Sequence, residues 1–347
     1  MKKVFITGGA GYIGSHLCEL LYRKGYQIRV YDNLTTSSKF MLQSACFLSG
    51  SQMDLIIGDV LDSRSLCEAM LDFRPDIVIH LAGLKSVQES FSRPELYQAV
   101  NVEGTQNVLD AMSNSACNHV IFSSSATVYG NAGDLPVTER HMCKPLNPYG
   151  ESKFKAEELI TTWARLNLRR SAIFLRYFNP VGAHTSGRIG EDLYYGSPNL
   201  MNMISRVALG EIEYLPIFGT DYLTEDGTAE RDYIHVLDLV AGHEAAIIKC
   251  LKSDCMHIYN LGTGTPISVR TLLHEFQNVA EVNVKYEAKD RRLGDAMISY
   301  ASAELAKKEL KWQAKRNVTE MCKSQWRWLN NGYQLAKAGR PIIEAMT

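Results

Sequence analysis

The chain predicts an α/β fold, a doubly wound parallel sheet with a smaller C-terminal substrate-binding lobe. Two patterns carry that prediction. Strand-like runs recur at 3–7, 27–32, 54–57, 76–82, 119–124 and 172–178, with helical stretches between most of them. Alternation of this kind builds a parallel sheet through right-handed crossovers. From about residue 180 the texture changes to Gly- and Pro-rich loops, such as Pro180-Val-Gly-Ala-His-Thr-Ser-Gly187 and Gly219-Thr-Asp-Tyr-Leu-Thr-Glu-Asp-Gly227. Residues 1–180 therefore read as one domain, with 231–250 returning to its sheet, and 181–230 and 251–347 as the lobe. At 347 residues the chain has ample core for one large or two intimate domains, and no internal repeat or low-complexity linker divides it.

The first element is an apolar strand, Lys3–Thr7, followed at once by Gly8-x-x-Gly11-x-x-Gly14. A helical pattern follows (Ile13, Leu17, Leu20, Leu21), closed by Gly25. Strand, glycine turn and helix is the context that marks a dinucleotide site. Without side chains the glycines let the backbone approach a pyrophosphate, and the helix N-terminus faces its charge. The second strand ends on Asp32, about 20 residues past the glycines, where a carboxylate hydrogen-bonds the adenosine ribose. That carboxylate would repel a 2′-phosphate, so the expected cofactor is NAD rather than NADP.

Ligands in such sheets lie at the carboxyl ends of the strands. The residues there are Gly8, Asp32, Asp59, Ala82-Gly83, Ser123-Ser124-Ser125 and Phe178-Asn179. After the fifth strand comes Asn147-Pro-Tyr-Gly-Glu-Ser-Lys153, in which Asn147 suits a helix N-cap and Pro148 the first helical position. Apolar Ala156, Leu159, Ile160 and Trp163 then keep helical spacing. Tyr149 and Lys153 fall one turn apart on one face. A phenol ionises near pH 10 and is a poor base at neutrality; a nearby ammonium favours the phenolate. The pair is a candidate acid–base couple, although the spacing alone also suits two surface residues.

Composition narrows the function class. Formal net charge is −1 with no basic run, which argues against nucleic acid and a membrane surface. Neither a signal pattern nor an apolar run long enough to span a membrane is evident. The cysteines at 18, 46, 67, 117, 143, 250, 255 and 322 form no CxxC and fall mostly within apparent elements, so reduced thiols and a cytoplasmic location are expected. The nine histidines show no zinc pattern, and no metal is expected.

Taken together the motifs resemble the extended short-chain dehydrogenase/reductases and, very closely, the UDP-galactose (UDP-glucose) 4-epimerases. The resemblance runs nearly end to end through Thr7–Gly14, Tyr31–Leu34, Val78–Lys85, Phe122–Gly130, Leu175–His184, Ile217–Gly219, Thr224–Thr228, Arg231–Val236 and Ile258–Gly262. It implies a Rossmann domain in which Gly8, Gly11, Tyr12, Ile13 and Gly14 line the pyrophosphate of NAD. Asp32 and Asn33 would hold the adenosine ribose, and Asp59 and Val60 would flank the adenine. Leu81, Ala82, Gly83, Lys85 and Asn101 would run toward the nicotinamide, with Phe178 near it. Ser125, Tyr149 and Lys153 would be catalytic, and Tyr149 and Lys153 would also touch the cofactor.

Asn179, Asn199, Leu200, Phe218, Arg231, Arg292 and Asp295 match the positions that hold the nucleotide sugar. Val60, Leu81 and Leu200 equally suit core positions, and Arg292 a solvated charge. Ser299, the fourth residue after Asp295, matches the position bordering the sugar 2-substituent, where a small residue implies room for an N-acetyl group; Tyr300 is next to it. The resemblance thus implies a 4-epimerase of UDP-hexoses working through a transient 4-keto sugar on UDP-N-acetylglucosamine and UDP-N-acetylgalactosamine, and on UDP-glucose and UDP-galactose. The alternatives are a strict UDP-glucose/UDP-galactose epimerase, a nucleotide-sugar reductase or dehydratase, and an NAD-sensing regulator with a dead site. Ala126 and Thr127 stand where related dehydratases carry an acid pair, which disfavours elimination. Pairing of two copies through helices near 94–112 and 149–166 is the expected assembly.

Overall fold

The structure is a computed structural model and describes residues 1–195, 199–252, 256–292 and 295–338. Cys255 and the Leu293-Gly294 step of the Arg-x-x-Gly-Asp run lie outside the described residues. Seven parallel strands form the main sheet: β1 (Lys3–Thr7), β2 (Gln27–Asp32), β3 (Leu55–Ile57), β4 (Ile77–His80), β5 (His119–Ser125), β6 (Ser171–Tyr177) and β10 (Met256–Leu261). Their order is β10-β6-β5-β4-β1-β2-β3. The chain winds outward from β1 in one direction and from β4 in the other, so the switch point lies between them. A crevice opens there at the carboxyl ends of the strands.

Alternation along the strands sends side chains to two cores. Val4, Ile6, Ile79, Ile121, Ile173 and Leu175 pack toward helices α1 (Tyr12–Arg23) and α2 (Lys39–Ser49). On the other face, Phe5, Val78, Phe122 and Phe174 belong to a second core, which α3 (Ser63–Phe73) shares through Leu66, Met70 and Phe73. Two short helices, α4 (Val87–Ser92) and α5 (Pro94–Tyr97), then lead through a π-helical turn, Gln98–Glu103, into α6 (Gly104–Asn114). Behind β5 lies α7 (Pro148–Arg165), which starts as its sequence predicts: Asn147 accepts the Gly150 amide at 2.8 Å, and Pro148 takes the first position.

The lobe is built around a second sheet in which β9 (Glu230–His235) pairs with β7 (Asn179–Val181), β11 (Pro266–Ser268) and β13 (Ile298–Ser299). A two-stranded piece joins β8 (Leu215–Phe218) to β12 (Tyr286–Lys289). Helices α8 (Leu200–Ala208), α10 (Val269–Ala280), α12 (Val318–Asn330) and α13 (Gly332–Ala338) close its core around Phe276, Met321 and Trp328. The boundary differs from the sequence expectation. Residues 230–235 join the lobe sheet; α9 (Val236–Cys250) packs against β5 and β6, and β10, within 251–347, supplies the seventh main-sheet strand. With α11 (Glu304–Leu310) also packed on β10, the return to the first domain runs through 236–261 and 304–310. A short strand of mixed polarity such as Arg231–His235 fits either sheet, and hydropathy alone does not choose its partner.

Cys18, Cys46, Cys117 and Cys322 are buried free thiols, and Cys67 and Cys143 are half-buried ones. Among the described residues no helix is long and apolar enough to cross a membrane.

Candidate active site

The glycine turn is fixed by what surrounds it. Gly8 has φ +72°, and a Cβ there would meet the Ala82 amide nitrogen at 2.6 Å; one at Gly14 would meet the Gly8 carbonyl oxygen at 2.5 Å. These contacts are backbone and cannot yield, so glycine is required for the turn to pack on the β4 end. A Cβ at Gly11 would meet only the Gly8 oxygen, at 3.4 Å, which leaves the mouth of the turn open. Gly11 caps α1 without any side-chain acceptor. The first amides of a twelve-residue helix therefore face this opening, an arrangement that suits an anion.

At the end of β2 the Asp32 carboxylate is tied back to the same turn. It accepts from Ala10 N at 3.0 Å, Leu34 N at 2.9 Å and Ser37 Oγ at 2.9 Å. Asn33 is exposed and donates to Asp59 at 2.8 Å, so the expected ribose and adenine positions adjoin; Val60 is buried behind them. These residues fit NAD: open helix amides for the pyrophosphate and a fixed carboxylate where a 2′-phosphate would be repelled.

Between β4 and α7 the structure brings the next group together. Asn101, in the π-helical turn, holds both backbone polar atoms of Leu84 (2.8 and 3.0 Å) and donates to Ser152 Oγ at 2.9 Å. A Cβ on Gly83 would come within 3.3 Å of Lys153 Nζ, so Gly83 and Lys153 are neighbours. Lys153 is buried, donates to the Ser123 carbonyl at 2.9 Å and lies 4.9 Å over the Phe122 ring. Burial pulls its pKa down to about 8, partly opposed by Glu157.

The Tyr149 phenol is also buried. Burial pushes its pKa above the ordinary value, and a hydrogen bond from Ser125 offsets only part of the rise. The expected downward pull of Lys153 is not among the causes acting on this phenol; the lysine ammonium is engaged by the Ser123 carbonyl instead. Ser125 Oγ also accepts from Thr127 Oγ1 at 2.9 Å, which makes Thr127 a support of the serine. Phe178 is buried against Tyr129, Val128 and Ala301, and the next residue, Asn179, is exposed where the lobe sheet begins.

The predicted sugar-side residues fall into two groups. Arg231 pairs in register with Ser299 across β9 and β13 and reaches Asp295 at 3.7 Å, while the Arg292 guanidinium stacks on Phe218 at 3.7 Å. Asn199 and Leu200 open α8 elsewhere, Asn199 capping it through Asn202 N at 2.9 Å. Tyr12 and Ile13, expected beside the pyrophosphate, follow Gly11 at the start of α1; Tyr12 donates to the Gly182 carbonyl of the lobe at 2.5 Å, and Ile13 packs on the sheet core.

Sequence reasoning does not single out Glu191, a buried carboxylate whose two oxygens accept from Lys85 and from Asn199, each at 2.7 Å. It ties Lys85, expected on the cofactor side, to Asn199, expected on the sugar side. A loop acid looks like any solvated charge in a sequence, and only the fold reveals its burial.

Comparison with known proteins follows the same lines. Residues 4–262 match the NAD dependent epimerase/dehydratase family. A "UDP-glucose 4-epimerase" of Bacillus subtilis is 43% identical over 337 residues, covering 96% of this chain and 99% of its own. Another, from Mus musculus, is 44% identical over 336 residues, with 94% and 96% covered. The Stenotrophomonas maltophila UDP-glucose-4-epimerase, solved with bound NAD and formylated UDP-arabinopyranose, superposes with a TM-score of 0.93 at 38% identity, covering 97% of this chain and all of the other. A UDP-Glc/GlcNAc 4-epimerase from Campylobacter jejuni gives 0.83 at 31%, with 95% and 99% covered. The chain belongs to the NAD dependent epimerase/dehydratase family. Within that family it is a member of the UDP-glucose 4-epimerases.

Proposed function

We propose that the enzyme interconverts UDP-N-acetylglucosamine and UDP-N-acetylgalactosamine as well as UDP-glucose and UDP-galactose. Its activity as an NAD-dependent UDP-sugar 4-epimerase, an isomerase, is the common ground. The wider range rests on Ser299, a small, half-buried residue paired with Arg231 in the lobe sheet. Paired residues share a face, and consecutive strand residues point to opposite faces. Ser299 therefore lies on the Arg231 side of the lobe sheet, whereas Tyr300 follows the end of β13. A strict UDP-glucose/UDP-galactose epimerase is the second reading, favoured by the names that the Bacillus subtilis and mouse relatives carry.

Tyr149, Lys153 and Ser125 are the residues we assign to the chemistry. Bound NAD supplies a reversible hydride acceptor for sugar C4. Tyr149 Oη takes the proton of the 4-hydroxyl and later returns it, directly or through Ser125 Oγ. Lys153, charged at neutral pH with a pKa of about 8, stabilises the phenolate form. Asn101 and Gly83 hold the lysine side of the pocket. The sugar must present either face to one hydride acceptor, so its grip must come from the nucleotide. We assign that grip to Asn179, Asn199, Leu200, Phe218, Arg231, Arg292 and Asp295, in which Arg231 and Arg292 are the permanently charged partners a diphosphate needs.

The first domain, 1–180 with 236–261 and 304–310, is then the NAD-holding part, and the lobe holds the nucleotide sugar. We further propose a homodimer formed through α6 and α7, whose shared groove is lined by Val102, Leu159, Trp163 and Leu166, the last 76% exposed. Free thiols fit a cytoplasmic location. The deciding experiment is an equilibrium assay with each UDP-sugar on wild type and Ser299→Tyr. We expect wild type to turn over both pairs, and the tyrosine variant to lose the N-acetyl reaction while keeping UDP-galactose turnover. Wild type inert toward UDP-N-acetylglucosamine would leave the strict reading.

A further inference from the structure

Glu157 lies one turn beyond Lys153 on α7, as Lys153 lies one turn beyond Tyr149. Its side chain is buried and fully engaged. Arg176 of β6 donates to it from Nε at 2.9 Å and Nη2 at 2.6 Å, and Ser124 donates from Oγ at 2.5 Å. Arg176 is itself 3% exposed, and its guanidinium covers the Tyr129 ring at 4.7 Å. Tyr129 in turn donates to Asn260 at 2.7 Å. Three consecutive serines at the end of β5 thus serve three neighbours on α7. The Ser123 carbonyl accepts from Lys153, the Ser124 hydroxyl holds Glu157, and the Ser125 hydroxyl meets Tyr149.

A buried ion pair is a poor device for stability, since apolar residues of similar volume often serve as well or better. What Glu157 itself offers is a fixed carboxylate one turn along α7 from a buried ammonium. We propose that Glu157, held by Arg176 and Ser124, is a positioning residue that keeps Lys153 charged and aligned for Tyr149. The proposal rests on the catalytic roles assigned above to those two residues.

Electrostatics agree in sign. Burial lowers the Lys153 pKa to about 8, and Glu157 opposes that fall. The other titratable groups around the site contribute no competing negative charge next to Lys153. His80 on β4 is held neutral, its pKa lowered to about 3 by burial. Tyr129, Tyr177 and Cys143 are pushed up by burial and stay neutral, and Glu139, also raised, is occupied by the Asn260 amide at 2.8 Å. Removing the Glu157 charge should therefore lower the Lys153 pKa further and neutralise the lysine within the working range.

The test uses holoenzyme and the pH profile of kcat. Glu157→Gln alone leaves Arg176 unpaired in the interior, which can unfold the chain. The double variant Glu157→Gln/Arg176→Met removes both charges and keeps the Ser124 hydrogen bond. We expect it to fold and retain NAD, with the high-pH limb of kcat moved down by about one unit and kcat at pH 8 reduced about fivefold. KM should hardly change. Glu157→Asp, which keeps the charge but draws it back, should shift the limb less in the same direction. A wild-type profile in the double variant, or in Glu157→Asp should the double variant not fold, overturns the proposal. Tyr149→Phe and Lys153→Met run alongside. If they are inactive while the charge-free pair behaves as wild type, only this inference fails; if they are active, the catalytic assignment fails beneath it.

Discussion

Lys153→Met should make the protein more stable while disabling it. The lysine is buried, and its pKa falls from 10.5 to about 8. At about 1.4 kcal/mol per unit, the charged form costs about 3 kcal/mol more in the folded chain than in the unfolded one. Methionine escapes that cost but leaves the Ser123 carbonyl without its donor and the Phe122 face without its cation. Those losses return about 1–2 kcal/mol, so the net gain is about 1–2 kcal/mol. The sign with pH follows from linkage. Between pH about 8 and 10.5 the wild-type lysine is neutral when folded and still charged when unfolded, so wild-type stability rises with pH there. The advantage of methionine is full below pH about 8 and fades above it. Urea unfolding of cofactor-stripped wild type and variant at several pH values measures the difference, free of linkage to bound NAD. A variant less stable than wild type at pH 7, or a difference independent of pH, would refute the reasoning.

Other outcomes follow from the same geometry. Tyr149→Phe keeps the buried ring and its edge contact with Tyr97 at 6.3 Å but removes the proton acceptor. Turnover should drop about 10²–10⁴-fold with unfolding and NAD content unchanged, and near-normal rates would remove Tyr149 from the mechanism. Asp32→Ala should weaken NAD and reduce discrimination against NADP, read by cofactor content after purification; it should also cost stability, because three donors lose their acceptor. Copurification of NADP with wild type would contradict the assigned role of this strand end.

Much of this was legible in the residues because local chemistry and position coincide. The Gly8–Gly14 spacing, Asp32 at a strand end and the Asn147-Pro148 helix start are short-range signals, and each appears where its pattern predicts. The topology of 231–261 was not legible in the same way. Tyr233-Ile-His235 and His257-Ile-Tyr-Asn-Leu261 are both short buried strands, and the choice of sheet depends on long-range pairing. Glu191, Glu157 and Arg176 escaped for a related reason. A charged side chain is normally a surface feature in a sequence, and their significance comes from burial and partners that α7, β6 and the segment around Glu191 create only when folded. The balance at Tyr149 also needed the structure, since spacing shows the neighbouring ammonium but not the desolvation that opposes it.

The most direct test uses UDP-galactose deuterated at C4, incubated with purified enzyme and no added NAD. If a hydride leaves C4 and returns within one active site, UDP-glucose forms with the deuterium retained at C4 and no net change in cofactor redox state. Loss of the label to solvent, or stoichiometric accumulation of reduced cofactor, would contradict the account.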